Sequence, residues 1–198
     1  VLISTVLFSV AGAVAVQAIK GGVDLEFGKY ALWYVLPLSF DVTLIAVLAV
    51  FVQALSPNKY VGWGVMVLYI VATIIFGSIG LEHNLYLYAG TPDELFSDIN
   101  GAGIYWEAAW WFRLYWGAFA LLLLVAAHLL WRRGTETRLK PRLRLAPARL
   151  RGTPGRLALA GLLVFALTGG WIFYNTNVLN TYRTDDTAQP YMPTYARA

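Results

Sequence analysis

From residue 31 to residue 55 the chain carries a single charge, Asp41. An apolar stretch of that length matches the roughly 20 helical residues needed to cross about 30 Å of hydrocarbon. Four more stretches have the same character: residues 1–19, 61–80, 108–131 and 157–174. The last is short and reaches a full span only with Trp171 and Tyr174 in the headgroup region. Apolar residues run on without alternation, which excludes a membrane β-barrel. Helices remain as the way to satisfy every backbone group inside lipid. The expected fold is all-α, a polytopic transmembrane helical bundle of five spans.

Composition agrees with this. Charged residues are 13% of the 198, well below the ~25% of soluble domains, and mean hydropathy is +0.59. With no cysteine present, disulfides, thiolate metal sites, Cys-ligated iron–sulfur clusters and cysteine nucleophiles are excluded. The opening "VLISTVLFSV" has neither an initiator Met nor a basic leader, so a signal peptide is not expected. Both ends suggest a piece of a longer polypeptide.

Charge placement implies an orientation. Residues 132–156 hold nine of the fifteen Lys and Arg and one acid, Glu136. The positive-inside rule makes this loop cytoplasmic. Alternation then puts the N-terminus and the "SPNKY" turn inside, and residues 20–30, loop 81–107 and the C-terminal tail outside. Loop 81–107 carries Glu82, Asp93, Glu94, Asp98 and Glu107 with no Lys or Arg, the sign this topology requires. The chain thus divides into a four-span bundle (1–131), a basic cytoplasmic loop (132–156), a fifth span (157–174) and an extracytoplasmic tail (175–198). The expected location is the bacterial inner membrane.

Within the outer loop, "TPDELF" reads as an N-capped helical turn lying on the surface. Within the inner loop, Pro141, Pro147 and Pro154 are expected to break the chain into short pieces. The basic residues Arg132, Arg133, Arg138, Lys140, Arg142, Arg144, Arg149 and Arg151 are expected on anionic headgroups, each worth about 1 kcal/mol. A charge run between two spans is topological, so no nucleic-acid partner is expected.

Asp41 is the ionisable group that most needs an explanation. It lies mid-span, four residues after Pro37, where a carboxylate requires a partner or a wet cavity. It could handle protons or cations, make an interhelical polar contact, or stay neutral. Arg113 in "EAAWWFRLYWGAF" is its candidate partner. The surrounding aromatic cluster, however, favours an Arg113 that snorkels outward. Trp110, Trp111, Trp116, Trp171 and Tyr174 are expected as interfacial anchors.

Familiar catalytic patterns are missing. His83 and His128 fall on opposite sides of the membrane and cannot share one haem iron. His83 is expected as an interfacial hydrogen-bonding residue, and His128 as packing at the inner boundary. "LEHNLY" lacks the second histidine of a zinc-peptidase helix. "GGVDLEFGKY" lacks the glycine spacing of a phosphate loop and follows its Lys with Tyr30. Small residues in the first, third and fifth spans predict close helix packing. Asn175 and Asn177 suit a helix terminus, because asparagine tolerates the left-handed conformation and bonds to nearby backbone, and a polar junction is expected to follow.

"AVAVQAIKGGVDLEFGKYALWYVLP", "VLAVFVQALSPNKYVGWGVMVLYI", "YWGAFALLLLVAAHLLWRRG" and "WIFYNTNVLNTY" together resemble a bacterial family of large fused proteins. In that family an ABC-type export permease region precedes an extracytoplasmic zinc aminopeptidase domain. The resemblance covers nearly the whole chain in order, most distinctively at "LSPNKY" and "FYNTNVLN". It implies that this chain is the last membrane part of the permease, non-catalytic and without a cofactor of its own. Zinc and the catalytic residues would belong to a downstream peptidase. The resemblance further implies a separate ATPase subunit on the inner side, beside the lipid bilayer as partner. The alternative is a structural accessory subunit packed against other membrane subunits through its aromatic faces; a redox or proton-conducting subunit is weaker.

Overall fold

The computed structural model describes residues 2–21, 27–79, 83–92, 103–132 and 139–180. Within them every regular element is helical: α1 (Leu2–Ile19), α2 (Phe27–Leu55), α3 (Lys59–Ser78), α4 (Gly103–Leu130), α5 (Leu139–Arg149) and α6 (Thr153–Leu179). Four contain stretches long and apolar enough to cross a membrane: Phe27–Leu55, Lys59–Phe76, Trp106–Leu130 and Thr153–Leu179. The expected first span forms α1, which is apolar but shorter. The "TPDELF" turn lies largely outside the described residues.

Local chemistry explains the boundaries. Ser56 is extended (φ −70°, ψ 142°), as the residue before Pro57 prefers, and this ends α2. Asn58 then caps α3, its side-chain oxygen accepting from the N–H groups of Tyr60 and Val61 at 3.1 and 3.0 Å. Gly152 takes a positive φ of 90° and Pro154 enters the first turn of α6, a combination that starts a helix cleanly.

Helix α4 lies at the centre. On one side α2 packs Phe40 and Leu44 against Trp116 and Ala120. On the other, α6 approaches closely enough that a Cβ on Gly169 would stand 2.8 Å from the Tyr115 ring, and one on Gly161 3.2 Å from Leu122. Small residues thus let two backbones come together, as the sequence predicts for the last span. Tyr115 and Phe165 stack there at 4.4 Å.

Helices α2 and α4 are parallel, because Arg142 joins their final turns: its Nη1 donates to Ala54 O at 2.8 Å and to Leu130 O at 2.7 Å. Arg149 donates to Leu129 O at 2.7 Å, and Arg132 to Ser56 O. The last carbonyls of a helix lack intrahelical partners and carry its negative dipole end, so guanidinium groups suit them. This corrects the headgroup assignment for Arg142; Arg132 and Arg149 each turn one guanidinium nitrogen to a carbonyl and stay only half-buried. Arg142 is 4% exposed, and burial beside orphan carbonyls outweighs its pull toward lipid. Lys140, Arg144 and Arg151 are exposed, while Arg133 and Arg138 lie outside the described residues. The expected fragmentation by proline is also corrected: α5 continues through Pro147. Pro141 sits in the first turn, where no donor is needed, and Pro147 sits near the end.

Two stretches use wider π-type turns, Ala31–Val35 within α2 and Tyr174–Leu179 at the end of α6. The second departs from the left-handed conformation expected of Asn175 and Asn177, while their expected bonding to nearby backbone is present. Asn180 is extended (φ −124°, ψ 150°), and the asparagines close the helix with their side chains. Asn175 Nδ2 donates to Trp171 O at 2.9 Å, and Asn180 Nδ2 to Asn175 O at 3.0 Å. Side-chain amides thus satisfy carbonyls that a left-handed cap would otherwise serve.

Candidate functional site

Asp41 stands at the midpoint of the Phe27–Leu55 helix. Counting back from the shared end, it lies ~21 Å along α2 and Arg113 ~26 Å along α4, at 1.5 Å per residue. The two groups therefore meet at matching depth. Arg113 Nε donates to Asp41 Oδ1 and Nη2 to Oδ2, both at 3.0 Å, a bidentate fork. The guanidinium lies 5.2 Å from the Trp110 ring centroid, adding a cation–π contact. Arg113 does not snorkel. Its side chain is 4% exposed and that of Asp41 28%. A buried carboxylate in reach offers it more than the interface does, since an isolated charge at that depth would be far costlier.

The aromatic neighbours have different roles from those expected. Trp116 is 5% exposed and sits in the core, so its anchor assignment is corrected. Its indole N–H is shared between Asn84 O at 3.1 Å and Gly90 O at 3.0 Å, and a buried donor needs such partners. Trp110 packs edge-on against Phe40 and Trp106. Trp111 lies against Trp171 at 6.0 Å. Trp171 and Tyr174 are about half exposed, as interfacial anchors would be.

The partners of Trp116 belong to a feature that sequence reasoning missed. Residues 83–92 do not rest on a surface; they turn back into the bundle. Tyr88 Oη donates to Leu44 O at 2.8 Å, only three residues along α2 from Asp41. Tyr69 Oη on α3 donates to Tyr88 O at 2.9 Å. Tyr88 also meets Trp116 edge to face at 5.3 Å and Phe119 at 5.8 Å. Gly90 N–H closes a turn onto Leu87 O at 2.8 Å, with Ala89 in the left-handed region (φ 61°). Non-helical backbone inside a bundle needs protein partners, and the carbonyls of Asn84, Tyr88 and Gly90 find them in Trp116 and Tyr69. The signal was present in "HNLYLYAGTP", an uncharged, aromatic stretch inside an otherwise acidic loop.

His83 opens this segment, its Nδ1 accepting from Leu85 N–H at 3.1 Å. Burial pushes its imidazole below the ordinary range and pushes the Tyr88 phenol well above its own. His128 is exposed on α4, far from His83. Between α2, α3 and the re-entrant segment lies a cavity of about 560 Å³, lined by Asp41, Tyr69, Thr73, Tyr88 and apolar neighbours. Asp41 thus pairs with Arg113 and also lines this cavity. A second cavity of about 370 Å³ lies between the far ends of α4 and α6, lined by Glu107, Trp111, Trp171 and Asn175 among others. Among the described residues no cluster of three or more His, Asp or Glu could hold a metal ion.

The fold and this core define an all-α bundle compatible with a membrane protein, built around the partly buried Asp41–Arg113 ion pair. Protein-family models, curated proteins and solved structures give no match to the chain.

Proposed function

We propose that this chain is the non-catalytic, membrane-embedded part of an ABC-type export permease of the bacterial inner membrane, holding an extracytoplasmic zinc aminopeptidase domain. The observation that carries this reading is the seating of α6. The helix is locked along α4 through Gly161, Gly169 and the Tyr115–Phe165 stack. It then leaves the apolar zone at Trp171 and Tyr174 and closes in an asparagine-lined turn. A helix seated in this way is compatible with carrying a domain beyond its outer end. The resemblance of "FYNTNVLN" and "LSPNKY" to the fused family supplies the identity of the load. The arginine-capped end of the bundle is then cytoplasmic and faces the separate ATPase. Within this chain, the ion pair and the re-entrant segment keep the helices in register, and the chemistry belongs elsewhere.

A structural accessory subunit would require Trp110, Trp111 and Trp116 to pack on foreign chains. Trp116 is covered by its own chain and Trp110 by Phe40, Trp106 and Arg113, so of these three rings only Trp111 stays exposed for such a contact. The test is the native polypeptide. An intact mass well above 22 kDa, with zinc-dependent aminopeptidase activity retained in the membrane fraction and accessible from outside, is expected. A native mass near 22 kDa would sink the fusion reading.

A further inference from the structure

A cavity of about 400 Å³ lies where α2 turns into α3, beside the last turn of α4. It is lined by Gln53, Ala54, Asn58, Lys59, Trp131 and Arg132. Two of these are cations and none is an acid. We propose that this cavity is a specific site for the phosphate of an anionic phospholipid headgroup.

The electrostatics are arranged for an anion. Helix C-termini would ordinarily make this end negative. Here Arg142 and Arg132 already occupy the carbonyls of Ala54 and Ser56. The start of α3 adds the positive end of its own dipole, and Lys59 is its first residue. Arg132 gives one Nη2 contact to Ser56, and a guanidinium has five N–H donors, so donors remain for a phosphate. The Lys59 ammonium lies over the neighbouring Tyr60 ring at 5.1 Å and supplies the second cation. Gln53 supplies a neutral side-chain amide.

The surroundings point to lipid as the source of the phosphate. Trp131, on the cavity wall, is 50% exposed, and Tyr60 and Trp63 nearby are 72% and 70% exposed. Amphipathic rings gathered around a helix end mark the headgroup level. A phosphodiester at that level would sit between Lys59 and Arg132 with its acyl chains along α3. This inference needs only a bilayer around the bundle and is independent of any peptidase or ATPase.

Native mass spectrometry of the detergent-purified chain tests it, with phosphatidylglycerol as probe and phosphatidylcholine as reference. Preferential retention of phosphatidylglycerol is expected. Lys59→Gln should weaken that retention roughly fivefold, the equivalent of about 1 kcal/mol for one surface cation, and Lys59→Arg should preserve it. Arg144→Gln and Arg151→Gln, exposed and outside the cavity, should change it less than roughly twofold. Equal losses from all three glutamine variants would mean diffuse surface charge and overturn the site. Displacement of the lipid by millimolar inorganic phosphate would overturn its assignment to a lipid headgroup.

Discussion

The indole of Trp116 meets the ring of Tyr88 edge to face at 5.3 Å, deep in the bundle, while its N–H holds two carbonyls of the same re-entrant segment. One residue of α4 therefore both packs the segment and satisfies its backbone. Trp116→Phe keeps most of the ring and removes the donor. It should destabilise the protein by about 1–3 kcal/mol, the usual consequence of leaving buried acceptors unsatisfied. Amide hydrogen exchange should rise across residues 83–92 before it rises in α4. Uniform loosening of all helices would mean that Trp116 acts by packing alone.

The ion pair makes a sharper demand. Arg113→Leu leaves the partly buried Asp41 opposite no cation, and the loss should come to no more than the ~3–5 kcal/mol of a fully buried pair. Asp41→Asn combined with Arg113→Leu removes both charges and should recover much of that loss. A double-mutant cycle on detergent unfolding measures the coupling. If the double variant is as unstable as the sum of the singles, the fork contributes little and Asp41 is held by other means.

How much of this was legible in the sequence depends on the range of the interaction. Continuous apolar runs sufficed for the all-α class and for the approximate helix positions, because backbone satisfaction in lipid allows little else. Asp41 and Arg113 were recognisable as intramembrane candidates for the same reason. Their pairing was one of two readings, and the Trp-rich flanks of Arg113 tipped the balance toward an interfacial position. Only the parallel arrangement of α2 and α4 equalises their depths. The tryptophans misled in the same way. An indole prefers a headgroup boundary or a buried carbonyl with similar strength, and Trp116 found the second through a fold-back no local pattern specifies. The basic loop shows a related limit. Charge count says nothing of which arginine meets a helix end, and the choice of Arg142 over Arg144 as a helix plug follows from helical phase in α5.

The re-entrant segment carries a pH dependence at its root. Burial depresses the His83 imidazole relative to its ordinary value of 6.5. The unfolded chain therefore takes up a proton before the folded one does as the solution is acidified. Stability contributed by neutral His83 is complete above that value and is lost as pH falls from it toward the lower folded value. Protonation of Nδ1 would also remove the acceptor for Leu85 N–H. Exchange protection of residues 83–92 should fall between pH 7.5 and 5 in the wild type. His83→Asn, whose side-chain oxygen can still accept from Leu85 and cannot titrate, should abolish the trend. A trend that persists in that variant would locate the titrating group elsewhere.

Arg142 decides whether the parallel helices α2 and α4 stay in register. Its Nη1 reaches Ala54 O and Leu130 O together, and no other residue type could place so many donors at that depth on so long a stem. Arg142→Leu preserves much of the apolar stem and strips both carbonyls of their donor. The expected loss is on the order of 2–3 kcal/mol. Arg151→Gln, two residues past the end of α5 and fully accessible, should stay within about 0.5 kcal/mol. Thermal unfolding of the purified protein in one detergent gives the comparison. Equal, small losses in the two variants would mean that these carbonyls find water once the guanidinium is gone, and that the basic segment steadies the bundle only through its charge.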